Sequence, residues 1–333
     1  MKHLWIAMGL CDFVAGKCSG RSMPWRRSLL LVVAAATAAD ALSPGAGVVA
    51  LGPGASEVKL IAAKLAAKAG FRASVVVPAG ANQLRDARAL LYGREYAEKL
   101  ADGGAADAGC VDVVVGTDGL AEALEGAEGV IVVCDTKSGP ISPAFAEAIF
   151  NQAANVKHCA LLSAMGGGKG GGLFAKTLAP AEAALRDAAG AVPLSIVRAG
   201  VLKGGGPGNM NAKPEDRSEY GAAAEVPDFG LSRYYYDTLF ELQEAMAVMA
   251  HDKFGLGAAV ARGDPYGLPN PVQLALTATD FEPCDYDTSR TSAAAALVAA
   301  LQLDGPGEFT VSVAAGSAAP SNEAWVAALA GAA

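Results

Sequence analysis

The chain contains the segment Val48-Val-Ala-Leu-Gly52-Pro-Gly54-Ala-Ser-Glu57-Val58, in which four apolar residues run into a glycine-rich turn and then a helical pattern. Glycines at such a turn keep it tight and let a pyrophosphate approach backbone N–H groups at the positive end of the helix. Gly52 and Gly54 fit the first two positions of Gly-x-Gly-x-x-Gly, and Glu57 stands at the third. Read as Gly-x-x-Gly-x-x-Gly, the later positions hold Ala55 and Val58. The segment predicts a dinucleotide-binding turn whose fingerprint is incomplete.

Glu57 bears on whether this turn binds a phosphate. A carboxylate in the first turn of a helix is stabilised by the same partial positive charge that would hold the phosphate. Two like charges about 4 Å apart repel by roughly 1 to 4 kcal/mol between water and a near-surface dielectric. Two interpretations therefore stand. Either Gly52, Gly54 and Ala55 bind a nucleotide, or Glu57 caps the helix and nucleotide binding is weakened or lost.

Short apolar runs alternate with Ala-rich stretches through residues 48–200. The runs are almost continuously apolar, as strands covered on both faces require, and most are separated by enough residues for a crossover helix. The pattern predicts an α/β fold built on a doubly wound parallel sheet. Predicted strands are Val48–Leu51, Ala73–Val77, Val111–Val115, Val130–Cys134, Cys159–Ser163, Leu194–Val197 and Glu308–Val313. Predicted helices are Glu57–Ala69, Leu84–Ala101, Leu120–Glu125, Pro143–Ala154, Leu178–Ala189, Tyr234–His251 and Ser292–Leu301.

The same pattern divides the chain into four regions. Residues 1–41 are predicted to be a targeting segment, and residues 42–203 the nucleotide-binding core. Residues 204–288 depart from the alternation, with Gly- and Pro-rich loops around one amphipathic helix, and are predicted to form a small substrate lobe. Residues 289–333 return a helix and a strand to the core.

Residues 1–41 have the layout of a signal peptide. A basic start at Met23-Pro-Trp-Arg-Arg27 precedes the apolar run Leu29–Ala39, and Ala39-Asp-Ala41 puts small residues at a cleavage point. The apolar run is too short to span a bilayer, so no integral membrane span is expected in the mature chain. Leu42-Ser-Pro44 resembles the junction of bipartite plastid presequences in algae with secondary plastids, with Leu42 in place of the usual Phe. We expect a plastid (chloroplast) location, with secretion as the alternative.

Composition excludes several classes of function. The formal net charge is −8, and no Lys- and Arg-rich stretch is interleaved with aromatic residues, so nucleic acid is not an expected partner. The four Cys after the leader lack Cys-x-x-Cys spacing, and Cys134 and Cys159 lie in apolar runs, which indicates buried free thiols in a reducing compartment. Three His in the whole chain cannot build a His-rich centre, so no metal is expected.

The end of the second predicted strand bears on the choice of dinucleotide. Val75-Val-Val-Pro-Ala-Gly80 is followed by no acidic residue until Asp86, so the carboxylate that binds the ribose of NAD is missing from its usual place. Arg85 follows instead and suits a 2′-phosphate. NADP is therefore preferred over NAD, unless Arg85 simply lies on an exposed helix.

Four further segments carry a family resemblance by their order and spacing. They are Val115-Gly-Thr-Asp-Gly-Leu120, Leu161-Leu-Ser-Ala-Met-Gly166, Leu194-Ser-Ile-Val-Arg-Ala-Gly200 and Ser289-Arg-Thr-Ser-Ala293. Residues 47–313 thus resemble atypical short-chain dehydrogenases of the NAD(P)-binding, NmrA-like Rossmann group. The resemblance implies that Asp118, matched after a one-residue offset, lies beside the adenine and that Ser163 lies beside the nicotinamide. Gly200, after the sixth strand, is assigned to the cofactor site with them.

The chain departs from this family at the catalytic position. Short-chain dehydrogenases acting on carbonyls use a Tyr and a Lys four residues later, because hydride transfer must be matched by a proton. No Tyr-x-x-x-Lys occurs in this sequence, and Phe174-Ala-Lys176 stands where the pair is expected. Ser163 is left as the candidate catalytic residue, with satisfaction of strand-end backbone groups as its alternative role. Arg198 is expected to pair with a carboxylate under the sheet.

Two classes of function follow, and the sequence leaves open whether the chain is an enzyme. The first is an NADPH-dependent reductase of a flavin-, quinone- or pigment-like acceptor that takes its proton from water. Its small-molecule acceptor would lie against Ser163, Met165 and residues 204–211. The second is a non-catalytic nucleotide-sensing or scaffold protein with a degenerate Rossmann site and a protein partner.

Overall fold

The structure is a computed structural model that describes residues 41–52, 56–77, 91, 111–117, 119–134, 141–166, 175–204, 257–265, 286–314 and 320–333. Its strands are β1 Gly47–Leu51, β2 Arg72–Val77, β3 Asp112–Val115, β4 Gly129–Val133, β5 His158–Ala164, β6 Leu194–Ala199, β7 Val201–Lys203, β8 Gly257–Arg262, β9 Asp287–Ser289 and β10 Glu308–Ala314. Its helices are α1 Glu57–Lys68, α2 Leu120–Glu125, α3 Pro143–Gln152, α4 Ala175–Ala189, α5 Arg290–Ala300 and α6 Asn322–Ala332.

Eight of these strands form one sheet, in the order β3-β2-β1-β4-β5-β6-β10-β8. Neighbouring strands are parallel except for β8, which is antiparallel to β10 at one edge. Strands β7 and β9 form a separate parallel pair. From β1 the chain moves outward through β2 to β3 and then returns to β4 on the other side of β1. This reversal confirms the predicted doubly wound parallel sheet of an α/β fold.

Helices cover both faces of the sheet, and the central strands show why the sequence runs are continuously apolar. In β4, Ile131 and Val133 pack into the cluster that holds α1, α5 and α6. Val130 and Val132 face the other way, into the cluster that holds α2, α3 and α4. All five residues of β4 are buried. Because apolar clusters cover both faces of the sheet, polar and apolar residues do not alternate along such a strand.

The sequence pattern predicted the alternation of strands and helices but not every element. All seven predicted strands are present, with ends shifted by at most two residues, and five of the predicted helices match α1 to α5. Helix α4 begins three residues earlier than predicted and contains Pro180. The predicted helices Leu84–Ala101, apart from the helical residue Leu91, and Tyr234–His251 lie outside the described residues.

Strands β7, β8 and β9 and helix α6 were not predicted. Strand β8 falls in the region 204–288, yet it pairs with β10 in the main sheet, with Arg262 opposite Phe309. Its sequence, Gly-Ala-Ala-Val-Ala-Arg, has low intrinsic strand propensity, so the pairing with β10 holds it extended. Strands β7 and β9 have three residues each. Helix α6 is capped by Ser321, whose hydroxyl accepts from the backbone N–H of Ala324.

Several sequence expectations concern residues outside the described ranges. The targeting segment, except for residue 41, is among them, as are Cys110 and Cys284. Within the described ranges, no helix is both long enough and apolar enough to cross a bilayer. Cys134 and Cys159 are buried thiols, as predicted, and burial raises the pKa of the Cys159 thiol well above its usual value. Such a thiol is unreactive at neutral pH.

His158 is a buried titratable residue at the start of β5. Its Nε2 atom lies 2.9 Å from the hydroxyl oxygen of Ser195, which also accepts from the backbone N–H of Gly307. Burial lowers the pKa of His158 from 6.5 to about 4. The imidazole is therefore neutral in the folded chain at neutral pH.

We expect the free energy of unfolding to fall as the pH drops from 6.5 to about 4. The imidazole of the unfolded chain binds a proton near pH 6.5, whereas that of the folded chain does so only near pH 4. The free energy of unfolding therefore falls by about 3 kcal/mol over this interval. Urea unfolding of the wild type and of His158→Asn at a series of pH values measures this loss. Equal slopes for the two chains between pH 5 and 6.5 would contradict the prediction.

Candidate functional site

The strand order reverses between β1 and β4, the place at the carboxyl edge where doubly wound sheets form a crevice. Helix α1 follows β1 onto one face, and α3 follows β4 onto the other. In doubly wound sheets, ligands bind outside the carboxyl ends of the strands at such a switch point. Gly52 and Ser56, the described residues on either side of the predicted phosphate-binding turn, lie there, at the end of β1 and the start of α1.

Gly52 packs against β4 immediately after β1. A Cβ atom at this position would overlap the carbonyl oxygen of Val133. The first glycine of the fingerprint is therefore required by the close approach of two strands, independently of any ligand. Gly54 and Ala55, the other predicted residues of this turn, lie outside the described residues.

Helix α1 begins with an acidic residue. Ser56 takes the N-cap position with extended backbone, at φ −127° and ψ 130°, and Glu57 is the first helical residue. The side chain of Glu57 is 4 % exposed. The positive end of the helix stabilises a carboxylate at this position. A phosphate at the turn would thus meet an acidic residue already placed at the same helix end.

Ser163 is the predicted catalytic residue, and it lies near the end of β5. Its hydroxyl is 2.6 Å from Oε1 of Glu182 in α4 and donates to that carboxylate. Both side chains are buried, at 3 % and 5 % exposure. The hydroxyl is thus directed under α4, and it would have to leave Glu182 before it could donate to an acceptor in the crevice.

Arg198, opposite Ser163 on β6, completes a buried ion pair with Glu182. Its Nε and Nη2 atoms donate to the two carboxylate oxygens at 3.1 and 2.8 Å. The guanidinium is 1 % exposed, and the two donors hold both oxygens in a bidentate arrangement. The structure confirms the expectation that Arg198 pairs with a carboxylate under the sheet, and it identifies Glu182 as the partner that sequence reasoning missed.

The network continues from Arg198 to the amino end of β10. Nη1 of Arg198 lies 2.9 Å from Oε2 of Glu308, an ion pair without hydrogen-bond geometry, and Arg186 donates to the other oxygen of Glu308. Partial burial acts to raise the pKa of Glu308, but Arg186 and Arg198 outweigh it and hold this pKa below its usual value. The name "buried charge network" is used below for the buried residues Ser163, Glu182 and Arg198 together with Glu308 and Arg186 at its exposed end.

Gly200 is held by the segment that precedes β9. A Cβ atom there would overlap the carbonyl oxygen of Tyr286, and the backbone N–H of Gly200 donates to the hydroxyl of Thr288 at 2.8 Å. That hydroxyl in turn donates to the carbonyl of Val311. The described contacts of this predicted cofactor residue are therefore to other parts of the chain.

A second buried ion pair lies beside Gly200. Nζ of Lys203 is 2.8 Å from Oδ2 of Asp287, and both side chains are buried. Arg290, at the start of α5, donates to the carbonyl of Gly204 at 2.8 Å. These contacts fix the first residues of the region 204–288 to the helix that returns to the core. Arg85 and Asp118, the remaining predicted cofactor residues, lie outside the described residues.

We expect Glu182→Gln to lower the free energy of unfolding by about 3 to 5 kcal/mol, because it leaves the guanidinium of Arg198 buried with its pairing broken. Glu128→Gln is the matched control, since Glu128 pairs with Lys157 at the surface. Exposed pairs contribute at most about 1 kcal/mol. Denaturant titrations of the two variants measure the difference. Equal losses in the free energy of unfolding of the two variants would show that the buried pair stabilises the fold no more than the surface pair does.

Comparison with solved structures finds partial likeness. NmrA, a negative transcriptional regulator solved in complex with NADP, matches with a TM-score of 0.34 and 16 % identity over 51 % of this chain and 52 % of that one. A trigonal form of NmrA in complex with NAD matches with a TM-score of 0.33 and 14 % identity over 47 % and 46 %. The capsular polysaccharide assembling protein CapF from Staphylococcus aureus matches with a TM-score of 0.24 and 13 % identity over 69 % and 58 %.

These matches cover limited parts of the proteins concerned. The chain spans about half the length of the NmrA structures that it matches. No protein-family model and no curated protein sequence matches the chain. The fold class rests on the strand order described above, which is that of an α/β doubly wound sheet.

Proposed function

We propose that this chain binds NADP(H) in the crevice between β1 and β4 and passes hydride from NADPH to a flavin-, quinone- or pigment-like acceptor. The observation that carries the proposal is the position of the Gly52–Glu57 turn at the point where the strand order reverses. A glycine-containing turn at that point brings backbone N–H groups and the positive end of α1 to one place, which is the arrangement that a pyrophosphate requires.

The residues that would hold the nucleotide follow from the predicted turn and strands. Gly52, Gly54 and Ala55 would lie along the pyrophosphate, and Arg85 would pair with the 2′-phosphate of NADP. Asp118 would lie beside the adenine. The carboxylate of Glu57 would oppose the charge of the pyrophosphate, so the proposal requires that the other contacts outweigh this repulsion.

The class of hydride acceptor is inferred from the proton-donating side chains that the sequence lacks. Nicotinamide supplies the hydride, and the protein contributes binding and orientation. The sequence has no Tyr-x-x-x-Lys pair, and the hydroxyl of Ser163 donates to Glu182. An acceptor that takes its proton from water suits such a site, whereas a simple carbonyl does not. The part of residues 204–288 outside β8 would supply the substrate lobe, and the leader would direct the chain to a plastid.

A second candidate function is a non-catalytic nucleotide-sensing or scaffold protein. Two observations favour it: Glu57 is buried at the start of α1, and Ser163 belongs to the buried charge network. Both observations would be expected of a protein that had kept the fold but lost nucleotide binding and catalysis. The two candidates differ first in whether NADPH binds.

We expect NADPH to bind more tightly than NADH to the chain beginning at Leu42, because NADPH alone carries the 2′-phosphate for Arg85. Bound nucleotide should raise the free energy of unfolding by about 2.7 kcal/mol at a hundredfold excess over Kd. Nicotinamide fluorescence and thermal unfolding measure binding and stabilisation together. A response to neither nucleotide would remove the reductase and leave the scaffold candidate.

We expect Glu57→Gln to tighten NADPH binding by about fivefold or more, because the substitution removes a like charge from the phosphate site. Glu323→Gln is the matched control, since Glu323 also lies in the first turn of a helix, α6, away from the crevice. Fluorescence titrations of both variants give the two Kd values. Binding that appears only in Glu57→Gln would mean that the natural turn no longer holds the nucleotide.

A further inference from the structure

An open groove lies at the amino edge of the sheet, at the opposite ends of the strands from the crevice between β1 and β4. Its volume is about 750 Å³, within the range of small-molecule sites. Residues 189–194, which connect α4 to β6, form one wall, and residues 306–308 at the start of β10 form another. Arg262 and Gly263, at the end of β8, complete it.

The walls of the groove are somewhat more apolar than polar. Val192, Pro193 and Leu194 line one side, and Pro306 lines another. Val192 and Leu194 are each half-buried, and both pack against the core beneath α4. Apolar walls of this kind bind the hydrocarbon part of a small molecule, and a few charged groups then fix its orientation.

The charged side chains of the groove leave one positive charge uncompensated. Arg186 and Glu308 line it, and they belong to the buried charge network, in which two arginines balance two glutamates. Arg262 is an exposed third arginine on the groove. Among the residues that the structure describes, none forms a hydrogen bond or an ion pair with its guanidinium. Counted over the described side chains, the groove therefore presents one cation without a partner, in a chain of net charge −8.

We infer that this groove binds a small organic monocarboxylate, with its carboxylate on Arg262 and its apolar body against Val192, Leu194 and Pro306. A guanidinium matches a carboxylate with two parallel hydrogen bonds. One negative charge neutralises Arg262, whereas the second charge of a phosphate would face the carboxylate of Glu308. The site is independent of nucleotide binding, because the two lie at opposite edges of the sheet.

The test uses the full chain and 4-phenylbutyrate as the probe, followed by isothermal titration calorimetry. We expect saturable binding with a Kd of about 1 mM, as suits a ligand of this size. Arg262→Gln should weaken binding by about tenfold or more, because it removes a charged hydrogen-bond partner. Arg72→Gln is the matched control, since Arg72 is exposed at the start of β2 and donates to the carbonyl of Gly45. Binding to Arg72→Gln should equal that of the wild type.

Three further measurements locate the ligand and define its chemistry. Amide chemical shifts of Gly190, Gly263 and Gly307 should move with the probe. The neutral analogue 4-phenylbutanol should bind about tenfold more weakly, because it lacks the charge. Two glycines appended after Ala333, which also lines the groove, move the chain's own carboxylate away and should not weaken binding.

Four outcomes would overturn the inference. The first is an absence of saturable binding of 4-phenylbutyrate, and the second is an equal Kd in Arg262→Gln and the wild type. The third is loss of binding in the chain extended beyond Ala333. The fourth is inorganic phosphate that binds as tightly as the carboxylate and with the same dependence on Arg262, which would assign the groove to a different anion.

Discussion

The packing of α4 against β5, β6 and β10 depends on how the charge of Arg198 is compensated. A guanidinium at 1 % exposure is destabilising unless carboxylates surround it, and Glu182 and Glu308 do so from α4 and β10. Each carboxylate fixes the element that carries it. The side of the sheet formed by β5, β6 and β10 is therefore held in part by directional contacts between side chains.

Much of this fold follows from the sequence, because strands covered on both faces have a simple signature. The run in β4 is apolar at every position, and its five buried residues explain why it was located to within one residue. Strand β8 shows the opposite case. Its Gly- and Ala-rich sequence acquires strand geometry through pairing with β10, which follows it by more than forty residues. The strand propensity of residues 257–262 alone does not reveal that β10 will pair with them.

The site was less accessible to sequence reasoning than the fold. Gly52 was assigned to a ligand, and the structure adds a second reason for the glycine, its approach to the carbonyl of Val133. Ser163 and Arg198 were singled out on separate grounds, but the residue that joins them, Glu182, lies in a helix and was given no role. Contacts between a strand and its covering helix depend on helix rotation, which an apolar pattern constrains only loosely.

Helix α4 illustrates what a buried charge network means for local motion. A surface helix held by apolar contacts alone can open and close by itself, and its amides then exchange with solvent well before the rest of the domain unfolds. Opening α4 would leave Arg198 and Glu182 without each other. We therefore expect α4, β5, β6 and β10 to open as one cooperative unit, with the amide protons of α4 exchanging for deuterium as slowly as those of the central strands.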